Sequence, residues 1–519
     1  MTADAFVLSL MRLEFGIAAS FHYLFVPLSL GLMLAVALIE AAHWRTGRLV
    51  WAEAARFWWR FFLLAWIVGM VTGYPLRWQL QSHWQGYTEQ VREVLGAVMT
   101  LEGWIAPLML SLVAVLSLAR RHLSALARML LSALLMLMMA TQAAGILTIN
   151  AWMQHPVGVE FSTEGARLTS LAAVFANPFA HTKIAHTLSA SVLTGAFFML
   201  AVAGAYLLKR RYLPLVRVSM GVALAMGLVG VAATLYTGHE SALDVAQQQP
   251  MKFAAMEAHW SSAADEAPLV LWGWPDMAAQ TNHGALELPG AMGALVGGAS
   301  PPGLQELTQQ AKDRIRLALQ PSAPAELAVW RALYQHTARL HAERWPALSD
   351  EARLMLAAEM SRPHVPTLFV AFRTMAVIGV GLLGVLVLAW RRRVELESGL
   401  AGRRLVVLLM ACLPLPWVAT LSGWTVAEVG RQPWVVYGQF LTAQAAVPAA
   451  ATGNPAALLV RLVVYALLGA LFVRSCMGLW RHGPAPLMWW ETTLRPLRWR
   501  LRLPLWRPTQ LAACTSMLE

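Results

Sequence analysis

The chain is short of charge: only 13% of its 519 residues are Asp, Glu, Lys or Arg, and 58% are hydrophobic. Soluble domains carry about 25% charged residues, so a set of water-soluble domains is excluded and a polytopic membrane protein is expected. Cysteine is nearly absent. Cys412, Cys476 and Cys514 lie far apart with no C-x-x-C pair, which excludes a disulfide framework and a cysteine-held metal cluster. Lysine is scarce as well, four residues among 40 basic ones. The opening Met1–Phe6 lacks the positive charge of a signal peptide, and no small-residue cleavage site follows the first apolar run. That run is expected to be a retained span.

What the sequence does have is long apolar stretches, each able to cross about 30 Å of hydrocarbon. They fall at about 15–39, 57–75, 95–118, 127–149, 184–208, 218–237, 367–390, 405–426 and 456–473. The expected fold class is therefore all-α, a polytopic integral membrane protein of about nine transmembrane helices. Residues 1–238 hold spans one to six, 239–366 a large extracytoplasmic loop, 367–478 spans seven to nine, and 479–519 a basic cytoplasmic tail. The loop is too long for a connector and carries amphipathic helical patterns such as Gly303–Lys312, so it reads as a functional element.

A net charge of +12 suggests nucleic-acid binding only until the charges are placed. One set of inter-span loops holds Arg45, Arg48, Arg56 and Arg60, then Arg120, Arg121 and Arg128, then Lys209, Arg210, Arg211 and Arg217. It continues with Arg391, Arg392, Arg393, Arg403 and Arg404, and with seven arginines in the tail, Arg474, Arg481, Arg495, Arg498, Arg500, Arg502 and Arg507. The opposite side, leaving out the long loop, holds 7 basic residues against these 23. The positive-inside rule then sets the N-terminus and the loop outside and the C-terminus in the cytoplasm. The charge follows a lipid bilayer and forms no basic face for nucleic acid.

Ionisable groups inside spans are costly and mark function by default. Here they are His22 in span one, Glu102 in span three, His186 in span five, Arg373 in span seven and Glu428 at the end of span eight, with Met375 beside Arg373. Taken singly, each has a plainer reading: a transmembrane His as a helix contact, a Met as filler, a carboxylate as an arginine's partner. By topology, however, all of them fall at one outer-leaflet level, as a buried metal or haem cluster would need. His and Met together favour a closed, electron-transferring haem iron, whereas oxygen reduction needs an open position and so a single His or carboxylate. Arg373 is placed to neutralise a haem propionate.

These residues stand in recognisable motifs: Phe21-His-Tyr-Leu-Phe-Val-Pro-Leu28, Leu101-Glu-Gly103, Asn150-Ala-Trp-Met-Gln-His-Pro-Val-Gly158, Ala185-His-Thr187, Ala371-Phe-Arg-Thr-Met375 and Trp424-Thr-Val-Ala-Glu-Val-Gly-Arg-Gln-Pro-Trp434. Through them the chain resembles subunit I of cytochrome bd-type quinol oxidases over nearly its whole length. The resemblance implies a low-spin haem b on His186 and Met375 with Arg373 beside it, and a haem d (or a third haem b) on His22. It further implies a high-spin haem b on Glu428, Trp424 between cofactors, Arg431 near propionates, and Glu102 delivering protons to the oxygen site. Lys252 and Glu257, in Gln249-Pro-Met-Lys-Phe-Ala-Ala-Met-Glu257, match the stretch that binds ubiquinol or menaquinol. The expected enzyme reduces O2 to water with cytoplasmic protons while oxidising quinol outside, generating proton motive force without pumping. Its expected setting is a bacterial inner membrane, with a second large membrane subunit and small single-span ones. The chain departs from the pattern at Leu110, where many relatives have a second glutamate, at Trp78–Trp84 and at Gly238-His-Glu-Ser241. Two rival readings are a proton-coupled secondary transporter and an oxidase homologue acting as a quinol sensor. The first predicts internal repeats, of which none is convincing, and the second predicts lost ligands, which are present.

Overall fold

A computed structural model describes residues 3–162, 165–262, 267–298, 301–446 and 455–484. The tail residues Arg495, Arg498, Arg500, Arg502, Arg507 and Cys514 lie outside them. Among the described residues nine helices are long and apolar enough to cross a membrane: Phe6–Thr46, Leu49–Ser82, Arg92–Leu118, Ala125–Trp152, Pro178–Leu208, Leu213–Gln248, Val365–Arg391, Gly399–Val429 and Pro455–His482. The expected nine-span, mainly helical architecture is what the chain adopts.

Local chemistry sets where the helices bend and stop. In the first span the ladder is interrupted at Leu24, between Ala3–Tyr23 and Phe25–Thr46, because Pro27 has no N–H to give to the carbonyl four residues back. The eighth span is likewise two helices, Gly399–Ala411 and Leu415–Val429, parted just before Pro414 and Pro416. The fifth begins on an Asn177 side-chain cap with Pro178 in its first turn, a favoured start. The sixth overruns the apolar stretch and the boundary expected at 238, continuing to Gln248, where Pro250 ends it.

The spans are unequally buried. The fifth is 78% buried and is the axis of the bundle, whereas the third is 17% and the ninth 6% buried. The first and fifth spans cross almost backbone to backbone: a Cβ on Gly31 would lie 2.2 Å from the Ser191 carbonyl oxygen, so only glycine fits.

Between the sixth and seventh spans the chain builds a second, smaller core. A first loop helix, Pro250–Glu257, is followed by an antiparallel hairpin, Leu269–Asp276 with Thr281–Leu288, and by helices Leu304–Ala318, Ala328–Leu340 and Asp350–Glu359. The amphipathic pattern read at Gly303–Lys312 becomes the helix Leu304–Ala318, burying Leu304, Leu307, Ala311 and Ile315 at helical spacing. The hairpin, with Trp272 opposite Leu286 and bulges on either side of Trp272, was not foreseen, since the bulges break the alternation that signals a strand. Phe253, Val270, Leu304 and Phe369 share one core, which packs the loop onto the start of the seventh span.

Candidate functional site

His186 sits in the upper half of the fifth span, and its Nδ1 lies 3.1 Å from the Thr234 carbonyl oxygen and 3.3 Å from Thr237 Oγ1 on the sixth. A carbonyl can only accept, so Nδ1 carries the proton and Nε2 keeps its lone pair for a ligand. His186 lines a cavity of about 300 Å³ together with Met375 of the seventh span and Trp424 of the eighth. Glycines keep both donors accessible. A Cβ at Gly238 would lie 3.1 Å from the His186 ring, and one at Gly423 would lie 2.9 Å from Met375 Sδ.

His22 stands apart from this cavity. Its Nδ1 is 3.1 Å from Thr72 Oγ1 on the second span, and the Thr72 hydroxyl spends its proton on Val68 O at 2.8 Å. Thr72 therefore accepts from Nδ1–H, and His22 Nε2 is also left as a bare donor. The neighbouring Tyr23 does line the His186 cavity and stacks on Trp424 with ring centroids 5.6 Å apart. Glu102 is half-buried on the exposed third span, where the charge acting on it is Arg77. Leu110, eight residues on, is exposed.

Glu428 is held on both carboxylate oxygens. Asn150 Nδ2 donates to Oε1 at 2.8 Å, and Arg431 Nη2 donates to Oε2. Asn150 accepts in turn from Lys183 Nζ through Oδ1 and, at 3.3 Å, from Gln154 Nε2. Gln154 Oε1 accepts from Lys252 Nζ at 2.7 Å. Asn150 lies in the last turn of the fourth span, which ends at Trp152, and Gln154 lies in the turn that follows. The sequence reading quoted their motif without a role for either amide, and Lys183 was one of the seven basic residues of the less charged side, with no role given. The available signal was a lysine three residues before His186 at an apolar helix start, in a chain with four lysines.

Lys252 and Glu257 both belong to the first loop helix and are both buried, at 2% and 0% exposure. Lys252 lines the His186 cavity, and burial together with the nearby Lys183 pushes its ammonium well below the usual lysine range. Glu257 faces the other way. Its Oε2 accepts from Arg373 Nη2 at 2.6 Å, while its Oε1 has no hydrogen-bond partner among the described residues. Burial raises the Glu257 carboxyl above its ordinary range, and Arg373 only partly offsets this. Arg373 also donates to the Val270 carbonyl of the hairpin through Nε at 2.9 Å and Nη2 at 2.6 Å, and its guanidinium lies 4.8 Å from the Phe369 ring centroid. The arginine assigned to a propionate is thus already paired with a loop carboxylate.

The single layer read from topology therefore resolves into three parts: the His186–Met375–Trp424 cavity with Lys252 on its rim, the Glu428–Arg431–Asn150–Lys183 network adjoining it, and His22 on the far side of Tyr23. Glu102 joins none of them. Among the described residues no three His, Cys, Asp or Glu side chains gather as a bare-ion site. One or two protein donors per position suit an iron whose other ligands come from a macrocycle, so the residues fit haem better than a naked metal ion.

Residues 10–484 match the family model for cytochrome bd terminal oxidase subunit I. The chain is 30% identical over 505 residues to cytochrome bd-II ubiquinol oxidase subunit 1 of Escherichia coli (strain K12), covering 93% of this chain and 98% of that one. It is 28% identical over 472 residues to cytochrome bd ubiquinol oxidase subunit 1 of Bacillus subtilis (strain 168), covering 90% and 92%. Among solved structures, the bd oxidase from Geobacillus thermodenitrificans superposes with a TM-score of 0.75 at 22% identity, over 92% of this chain and 99% of that one, a likeness of fold.

Proposed function

Because the chain belongs to the cytochrome bd terminal oxidase subunit I family, a haem-dependent quinol oxidase of bacterial inner membranes that works with a subunit II, we propose that it carries the complete path from quinol to oxygen. The observation that carries the proposal is His186 and Met375 on one cavity wall system, with His186 Nδ1 tied to a carbonyl and Nε2 free.

When bound, haem supplies one-electron transfer and the reduction of O2 to water. His186 and Met375 hold a low-spin haem b, His22 a haem d or a third haem b, and Glu428 a high-spin haem b. Trp424, stacked on Tyr23 next to His22, separates the His186 side from the oxygen side. Arg431 and Arg373 would supply positive charge to haem propionates, and Arg373 is shared with Glu257. Ubiquinol or menaquinol is oxidised at the outer face beside the first loop helix. There Glu257 Oε1, buried and unpartnered, is the acceptor for a quinol hydroxyl proton, and Lys252 bounds the site toward the cavity. Glu102 hands protons from the cytoplasm to the oxygen side. Protons released outside and taken up inside give a proton motive force without a pump. This requires the N-terminus and residues 239–366 outside, the tail 479–519 inside, and the spans within 1–238 and 367–478, with small single-span subunits as further partners.

A reduced-minus-oxidised spectrum of the purified two-subunit oxidase tests the proposal. A low-spin b-type signal that disappears in His186→Ala is expected; a folded preparation without haem bands sinks it.

A further inference from the structure

The hairpin Leu269–Asp276 with Thr281–Leu288 is apolar on a side that its own chain leaves open. In the first strand Val270, Gly273 and Pro275 are buried, whereas Trp272 and Trp274 face outward, 68% and 64% exposed. Leu286, opposite Trp272, is 60% exposed, and Leu271 and Leu288 are exposed as well. A two-stranded hairpin is marginal in water by itself, and an apolar patch of this kind marks a surface that something covers.

Height is the first indication of what covers it. The Val270 carbonyl accepts from Arg373 Nε and Nη2, and Arg373 stands two turns into the seventh span, about 12 Å below its first residue. The Arg373 guanidinium lies 4.8 Å and 5.2 Å from the Phe369 and Phe372 ring centroids. The base of the hairpin is therefore level with the apolar part of that span, at the height of the exposed Val370. Polarity is the second indication. At the turn end Asp276 accepts from the Ala278 and Ala279 N–H groups and lies 3.2 Å from His283, while the base end carries Trp272, Leu286 and Leu288. The one charge at that base, Glu287, suits headgroup depth and would not suit the hydrocarbon core. A protein partner asks for an apolar centre within a polar rim. Here polarity instead runs along the hairpin from a base fixed at span depth, as a bilayer surface requires.

We infer that the hairpin lies in the lipid headgroup interface on the loop's side of the membrane, with Trp272, Trp274 and Leu286 among the headgroups and upper acyl chains. Tryptophan favours that layer because its ring is apolar and its N–H still finds an acceptor. The bilayer then supplies the second face that a two-stranded sheet lacks, and the Arg373 bonds to Val270 set its depth. Neither haem nor quinol takes part in this contact.

The test uses the two-subunit oxidase in phospholipid nanodiscs, oxidised and without reductant. Nitroxide labels are placed on Trp272→Cys, Trp274→Cys or Leu286→Cys in a Cys412→Ala, Cys476→Ala, Cys514→Ala background, with the signal of that background subtracted. Collisions with O2, which partitions into lipid, should exceed those with a water-soluble nickel chelate severalfold at each position. In Trp272→Glu with Trp274→Glu, the Leu286→Cys label should shift toward the chelate. Chelate-dominated collisions in the three single variants would overturn the inference by putting this face in water. Immobile labels shielded from both reagents would overturn it too, making the cover a protein surface such as subunit II. Should Trp272→Cys fail to assemble, Trp274→Cys and Leu286→Cys decide by the same collisions.

Discussion

The fifth span and the third span are both apolar helices that carry one ionisable residue, and they could hardly be used more differently. His186 is half-buried within this chain, with its tautomer fixed by the sixth span and its cavity lined by the seventh and eighth. Glu102 lies on a helix only 17% buried, near the exposed Trp104, Leu108 and Leu110. A ligand needs rigid geometry, which packing within one chain supplies. A proton-handling carboxylate needs a route to water, and its helix faces lipid or a second subunit. The lesson is that the proposed electron-entry ligand His186 is held by packing within this chain, whereas the proposed proton carboxylate Glu102 lies on a helix that the chain leaves open.

The largest expected effect would break that division. His186→Ala should abolish the low-spin haem spectrum and all quinol-driven reduction, while His22→Ala should leave that spectrum intact and abolish oxygen consumption at an electrode. Loss of the low-spin signal in His22→Ala would show that the two sides are one unit. Next in size is the tie between loop and bundle. Arg373→Gln strands a buried Glu257, a change that costs about 3–5 kcal/mol for an ion pair broken on one side, so Tm should fall markedly. The double variant Arg373→Met with Glu257→Leu should recover most of the loss, because removing both charges removes the stranded one.

A smaller effect should appear in the pH profile of quinol oxidation. Glu257 must be ionised to accept a proton, and burial raises its pKa. The rate should therefore fall as pH drops through a point above the ordinary carboxylate range, approaching tenfold per unit on the acid side. Glu257→Gln should be slow and lack that acid limb. A wild-type profile with its limb in the ordinary carboxylate range would contradict the buried setting. Least of all, Glu160→Ala removes an exposed contact to Arg167. Screened pairs of this kind contribute little, so Tm and the haem spectrum should not measurably change.

The nine spans were legible because hydrocarbon imposes a length and a composition that no tertiary contact overrides. Their ends were less so, since turns beyond the apolar stretch, such as Gly238–Gln248, stay helical until Pro250. In the site, single ionisable residues were legible by their cost: His186 and Glu428 stand out against their spans, and Met375 only through its motif. Partnerships were not. Nothing in residue order says that Glu257 meets Arg373 from a separate element 116 positions away, or that Asn150 bridges Lys183 to Glu428. The common depth of the candidates came from topology, which fixes height in the membrane but not position around the bundle, and so it could not separate His22 and Glu102 from the His186 cavity.

The Arg373–Glu257 contact also bears on time. Any motion that swings the first loop helix away from the seventh span must part this pair and its bonds to Val270. Swinging the helix away would also expose the apolar core shared by Phe253, Val270 and Phe369, so such openings are rare. A substrate lodged behind that helix would exchange only during those rare openings, so the dwell time of quinol would be governed by a latch of two side chains.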